Sequence, residues 1–249
     1  DLFAAAADAG YEGVQVFRPG DVGRGTDAGL DHMSGIGSAR TIDEVDAAVG
    51  RWSGLVTSLS LHLGTGFESA GEADELVGAT IDAAERHAVA VLVETHRATL
   101  LQDPARALAL VDDHPGLRFT ADLSHWYTGV ELVYGDLDAK LAALQPVFDR
   151  CRMIHGRISD PGCIQVAVAE SDPSPHVAHF RRMWSTIAAA CAASDETEEL
   201  PFVVELLPAS AGYARTVQRG GIVEEETDRW AQADLLWRIA ADLDAVPTS

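Results

Sequence analysis

The sequence predicts an α/β fold with a parallel sheet, of the (β/α)8 TIM-type barrel class with its first strand missing or altered. Three observations lead there. Apolar strand patterns and amphipathic helical patterns alternate from end to end, which makes the sheet parallel and the crossovers right-handed. The chain has 249 residues, 47% of them hydrophobic, enough for a single domain of barrel size spanning 1–249. The later strands each end in carboxylate or imidazole groups, at the carboxyl ends where such sheets build their sites.

Asp1–Gly10 is an alanine-rich helix that Gly10 stops, followed by the strand Gly13-Val14-Gln15-Val16-Phe17. Pro19 to Gly37 is rich in Gly and Asp and reads as loop, with His32–Ile36 as a short strand. Thr41 caps a helix running to Trp52, with Glu44 completing a capping box. Leu55–Leu63 is a strand ending in His62 before Gly64-Thr65-Gly66, a turn that leaves room for a ligand. Glu72–His87 is amphipathic, with Leu76, Thr80, Ala83, Ala84 and His87 on one face. The strand Ala90-Val91-Leu92-Val93 carries Glu94, His96 and Arg97 at its end. Pro104–His114 is the next helix, and Phe119-Thr120-Ala121 leads into Asp122-Leu123-Ser124-His125-Trp126.

Leu137–Arg150 forms a helix, and the strand Arg152–Ile158 passes through His155-Gly156-Arg157. A loop over Ser159–Pro175 carries Cys163 and Gln165, and His176–Ala193 is helical. Ser194–Glu199 is an acidic loop, Phe202–Leu207 a strand containing Glu205, and Asp228–Leu243 the closing helix. Six strands are plain and His32–Ile36 makes seven, whereas a closed barrel of this class has eight. The chain opens in a helix, so the first strand of such a barrel would precede Asp1.

Composition narrows the function. A formal charge of −21 repels phosphate backbones and anionic lipid, and a basic stretch such as Arg215–Arg219 has only two arginines. Nucleic-acid partners are therefore not expected. No run approaches the roughly 18 apolar residues of a membrane span, and no signal pattern opens the chain. Cys151, Cys163 and Cys191 are too few and scattered for a disulfide framework, which suits a cytoplasmic setting. Cys163 has no base beside it in sequence and reads as a structural loop residue. Trp230 and Trp237 on the closing helix suggest a homo-oligomer.

Four successive strands deliver Glu94, Asp122, His155 and Glu205, and inward-pointing groups at the ends of neighbouring strands converge. Three carboxylates and one imidazole suit an octahedral Mn²⁺, Mg²⁺ or Co²⁺ better than a tetrahedral structural Zn²⁺. Six-coordination leaves two positions for a bidentate substrate, such as a carbonyl and its neighbouring hydroxyl. Mn²⁺ is the leading expectation. The competing view of any one such residue is a solvated strand end or a satisfied core histidine.

Glu94-Thr95-His96-Arg97, Asp122-Leu123-Ser124-His125-Trp126, Ile154-His155-Gly156-Arg157 and Val204-Glu205 resemble the signature strands of the xylose isomerase-like superfamily of sugar (phosphate) isomerases and epimerases. The likeness runs from His62 onward, in order. It implies that Glu94, Asp122, His155 and Glu205 hold the metal, and that His125 and Arg157 contact a small carbohydrate. Arg157 follows His155 by two positions, whereas the epimerases place theirs further on. The implied reaction removes a proton next to a carbonyl and stabilises the enediolate with a divalent cation. Glu94 and Glu205 are the candidate acid–base pair, and Trp126 is a candidate cover for a sugar ring. His62, His96, Arg97 and Gln165 are further candidates for the substrate site, each of which also reads as a solvated or plain loop residue. Lyases and dehydratases of the superfamily share the same first step and stay open as the alternative. A zinc nuclease fits poorly with the charge, and a non-catalytic barrel subunit is the third reading.

Overall fold

The computed structural model describes residues 1–194 and 199–243. Of the acidic loop expected at Ser194–Glu199, residues 195–198 lie outside that description. The elements run α1 (Leu2–Asp8), β1 (Gly13–Val16), α2 (Val22–Asp27), β2 (His32–Ala39), α3 (Ile42–Gly50), β3 (Ser58–Leu63) and α4 (Ala70–His87). They continue with β4 (Ala90–Glu94), α5 (Pro104–Asp113), β5 (Phe119–Ala121), α6 (Leu123–Gly129), α7 (Leu137–Phe148), β6 (Cys151–His155) and α8 (Pro175–Ala192). The last are β7 (Phe202–Val203), β8 (Thr216–Arg219), β9 (Ile222–Glu225) and α9 (Arg229–Ala241).

Strands β1 to β7 form one sheet in chain order. β1 through β5 pair in parallel, as do β6 and β7. Parallel strands in chain order with helical crossovers define the TIM-barrel class, here with seven sheet strands among the described residues.

The chain divides into two compact units, Asp1–Leu101 with Ala105–Thr120, and Gln102–Pro104 with Ala121–Ser249. In the first, Leu59, Leu61 and Leu63 of β3 and Val93 of β4 are buried, as are Val45 and Val49 of α3 and Leu76 and Val77 of α4. In the second, Trp126, Phe148, Phe180 and Trp184 are buried completely. Trp184 packs between Phe180 and Phe202, with ring centroids 5.5 and 5.0 Å away.

The short strand expected at His32–Ile36 is present and longer, running to Ala39 as β2, whereas the rest of the stretch expected to be loop holds a 3-10 turn at Pro19–Asp21 and all of α2. Its glycines serve close packing rather than chain freedom. A Cβ on Gly25 would lie 2.6 Å from Met33, and one on Gly35 would lie 2.8 Å from the Trp52 indole. The expected capping box at Thr41 is not formed: its side chain makes no cap bond, and the Glu44 carboxylate accepts from Arg40 N–H instead. The complete box is at Ser69 and Glu72, which starts α4 two residues earlier than expected. Because Ser69 satisfies an amide at the exposed start of an 18-residue helix, Ser69→Ala should cost about 1 kcal/mol in urea unfolding, without touching ligand binding.

A hairpin that the sequence did not suggest, β8 with β9, turns on Gly220 and Gly221, whose φ values of +58° and +83° suit a two-residue hairpin turn. β7 is only two residues long, so Glu205 lies just past the strand rather than inside it.

Candidate functional site

In the first unit, adjacent strands β3 and β4 are in register at Leu61↔Val93. The next positions, His62 and Glu94, therefore stand side by side. The His62 Nε2 is 3.1 Å from Glu94 Oε2, and the Glu94 side chain is fully buried. His96 lies in the turn just past the strand, its N–H donating to Glu94 O (2.9 Å) and its ring centroid 4.3 Å from that of His62. His96 Nδ1 lies 2.5 Å from Arg97 O. Across the next ladder Glu94 pairs with Thr120, whose hydroxyl is 2.6 Å from Ser60 Oγ.

The Gly64-Thr65-Gly66 turn is occupied by the chain's own Glu68. Its carboxylate accepts from Thr65 N–H (2.5 Å), Thr65 Oγ1 (2.7 Å) and Gly66 N–H (2.8 Å), with Arg106 3.6 Å away. Burial alone would push this carboxyl up, and the hydrogen bonds from Thr65 and the turn's amides hold it below its ordinary value. The expectation that this turn leaves room for a ligand is corrected accordingly.

In the second unit, Asp122 directly follows β5 and caps α6. Its Oδ1 accepts from Ser124 N–H (3.1 Å) and Ser124 Oγ (2.5 Å). Its Oδ2 binds the Arg157 guanidinium and lies 3.2 Å from His125 Nε2. Arg157, fully buried, also donates Nε–H to Ser124 Oγ (3.1 Å) and approaches Glu205 Oε2 at 3.2 Å. Glu205 Oε2 in turn is 3.0 Å from His155 Nδ1. The guanidinium stacks over Tyr213, 4.7 Å from the ring centroid, and Tyr213 meets His125 edge-on at 6.3 Å. Burial raises the Asp122 carboxyl, but the Arg157 charge and the His125 and His155 imidazoles outweigh it, leaving the group well below the usual carboxylate range. Asp122 is therefore ionised wherever the protein is folded at neutral pH.

Within the second unit the structure brings together Asp122, His125, His155, Arg157 and Glu205. Within the first it brings together His62, Glu94 and His96. Arg97 is exposed at the strand end. Trp126 is buried completely, turned into the interior from α6. Gln165 has another task than binding hydroxyls: its Nε2 donates to Leu207 O (2.9 Å) and its Oε1 accepts from Leu207 N–H (3.0 Å). That pair fixes the extended segment two residues beyond Glu205, so Gln165 is a positioning residue. Cys163 lies in a turn built on Asp160, and none of the three cysteines is disulfide-bonded. Ser124 and Tyr213 are site residues that the sequence alone did not single out. Ser124 had a signal, since a Ser two residues after a capping Asp has its amide and hydroxyl within reach of that carboxylate. Tyr213 lies eight residues past Glu205 in irregular chain, where nothing local marks it.

Taken together, strand order and helical crossovers define a barrel of the TIM class. Among solved structures, the chain is similar to the probable 3-DHS dehydratase AsbF of Bacillus anthracis (TM-score 0.59, 14% identity, covering 98% of this chain and 92% of that one). It is similar to the 3-keto-D-glucoside 4-epimerase YcjR of E. coli (TM-score 0.54, 11% identity, 96% and 92%). It is also similar to a xylose isomerase-like TIM barrel protein from Mycobacterium smegmatis in complex with magnesium (TM-score 0.57, 11% identity, 98% and 87%). At these identities the likeness is one of fold. No family model matches the sequence, and no curated protein matches it. Among the described residues no helix is long and apolar enough to cross a membrane.

Proposed function

We propose that this chain is a divalent-metal-dependent enzyme that enolises a small carbohydrate or polyol, as an isomerase or epimerase. The observation that carries the reading is the convergence, inside the second unit, of Asp122, His155 and Glu205, three ligand-type groups from the ends of successive strands. Glu94 is the fourth member by chain geometry. It pairs with Thr120 across the β4–β5 ladder, and Asp122 follows Thr120 by two residues, the spacing that returns a side chain to the same face of a strand.

Three carboxylates and one imidazole fit a hard, oxygen-preferring cation such as Mn²⁺ or Mg²⁺. Such an ion, held by Glu94, Asp122, His155 and Glu205, would supply Lewis-acid stabilisation of the oxyanion that forms beside a deprotonated carbon. Arg157 carries a buried positive charge among these carboxylates and offers donors to a substrate oxygen once they turn to the ion. His125, whose Nε2 lies 3.2 Å from the Arg157 guanidinium, hydrogen-bonds a substrate hydroxyl. Glu94 and Glu205 take up and return the proton. The unbridged cysteines and the strongly acidic surface suit a reducing, cytoplasmic setting and an uncharged small substrate rather than nucleic acid.

A dehydratase is the second reading, because elimination begins with the same proton abstraction and one structural neighbour is a probable dehydratase. One experiment addresses both. Ketoses and keto-polyols are incubated with the Mn²⁺-loaded protein in D₂O, with Glu94→Gln as control. Deuterium at the carbon next to the carbonyl, abolished in the variant, supports enolisation. Loss of water giving an unsaturated product moves the reading to a lyase. If a broad panel shows neither exchange nor water loss, the enzymatic reading is overturned.

A further inference from the structure

We propose that His62, Glu94 and His96 form a second divalent-cation site, of the imidazole-rich kind that takes Zn²⁺ or Co²⁺. The site lies wholly within the first unit, so its geometry stands without the four-ligand site; it shares only Glu94 with that reading.

Side-chain placement supports it. One ligand atom from each of the three residues can be chosen so that all lie within 4.8 Å of one another. A tetrahedral ion with bonds of about 2.0–2.1 Å separates its ligand atoms by about 3.3 Å. His62 Nε2 and Glu94 Oε2, 3.1 Å apart, are already near that separation. His62 and Glu94 come one residue after the Leu61↔Val93 pair of the ladder, and the turn closed by His96 N–H on Glu94 O brings the His96 ring 4.3 Å from that of His62.

Ring placement supports it as well. A histidine that binds a metal usually has its other ring nitrogen hydrogen-bonded to a carbonyl or carboxylate, which fixes ring orientation. His96 Nδ1 lies against Arg97 O, with Nε2 on the opposite side of the ring. Two nitrogens and one carboxylate oxygen with a further position for water make the donor set of open zinc sites, distinct from the oxygen-rich set around Asp122. The His62 side chain is 28% exposed and His96 is partly exposed, while His62 Nε2 and both Glu94 carboxylate oxygens are buried, so the ligand atoms lie just beneath the surface. Occupancy would draw Glu94 Oε2 away from proton transfer, so excess Zn²⁺ would inhibit an enzyme that uses Glu94 as a base.

The test is metal stoichiometry on the full chain, by equilibrium dialysis against Zn²⁺ followed by elemental analysis. Wild type is expected to hold two ions per chain. The His62→Ala/His96→Ala double variant is expected to hold one, as is Asp122→Asn/His155→Ala, which spares the His62 cluster. In Co²⁺-loaded protein the nitrogen-rich site should add intense tetrahedral d–d absorption that the single variant His96→Gln removes. Because both histidines are partly exposed, His96→Gln should keep the far-UV circular dichroism of wild type. If wild type holds one ion that the His62→Ala/His96→Ala variant keeps, the second site does not exist. If wild type holds one ion that this variant loses and Asp122→Asn/His155→Ala keeps, the second site stands and the four-ligand reading falls. Two ions that survive removal of both histidines also overturn the proposal.

Discussion

Asp122→Asn is expected to lower the stability of the metal-free protein at pH 7 by about 3 kcal/mol and to abolish turnover. Removing one partner of a buried ion pair typically costs about 3–5 kcal/mol, because the other charge is left uncompensated. Here the stranded charge is Arg157, fully buried. The lower end applies because Glu205 Oε2 at 3.2 Å and the Tyr213 ring at 4.7 Å remain to receive the guanidinium. Asn keeps an oxygen for the Ser124 amide, so the start of α6 survives and the loss is electrostatic rather than a lost cap.

The pH dependence follows from the sign of the Asp122 shift. Its carboxyl is held down in the folded state, so the stability it confers is fully present above its unfolded value of about 3.9 and is lost as pH falls toward the folded value. Urea titrations of chelator-treated wild type and variant should therefore show a gap that is constant from pH 7 to about 5 and narrows below about pH 4. A variant as stable as wild type at pH 7, or a gap unchanged down to pH 3, would show that the Asp122–Arg157 pair does not hold the second unit together. An Arg157→Met/Asp122→Asn double variant should recover much of the loss, since a buried pair exchanged for apolar packing is often neutral.

The strand ends were legible in the sequence because an apolar run that stops at Glu94, Asp122 or His155 marks where a buried strand reaches the rim of its sheet. The parallel order of the strands followed from period and alternation alone. What stayed hidden depended on contacts distant in sequence. β2 lacks β-branched weight because Gly35 and Gly37 lie against Trp52, so its full length could not be read locally. α2 was obscured by Gly23 and Gly25, the latter set by the approach of Met33. The Gly64-Thr65-Gly66 turn reads as an open cradle until Glu68, only two residues on, folds back to fill it. Gln165 looks like a binding amide until Leu207, 42 residues later, takes both its ends. Residue type pointed to the metal-binding chemistry proposed for the site. Which polar groups were already committed to holding the backbone depended on tertiary contacts.

Gly156→Ala is expected to destabilise the protein by about 2–3 kcal/mol and to weaken divalent-metal binding tenfold or more. Gly156 stands between His155 and Arg157, and its N–H donates to Val203 O at 2.7 Å, tying β6 to β7. A Cβ there would lie 2.5 Å from Phe202 Cζ and closer still to Cε1, so one side must move. The ring is backed by Trp184 at 5.0 Å, which is fully buried and itself backed by Phe180, so the strain passes into a packed aromatic row. Overpacking of this kind costs about 1–3 kcal/mol. The alternative, a backbone shift at 156, displaces the two side chains the site needs most, and lost support for a metal ligand commonly costs about 10- to 100-fold in affinity. Phe202→Leu trims the obstructing ring and should be mildly destabilising alone yet rescue Gly156→Ala, with a coupling of about 0.5–3 kcal/mol in the double-mutant cycle. Urea unfolding and Mn²⁺ titration of the four proteins decide it. If Gly156→Ala alone matches wild type in both, the glycine is incidental. If it is destabilised but Phe202→Leu brings no rescue, the contact with the ring is not the reason it is there.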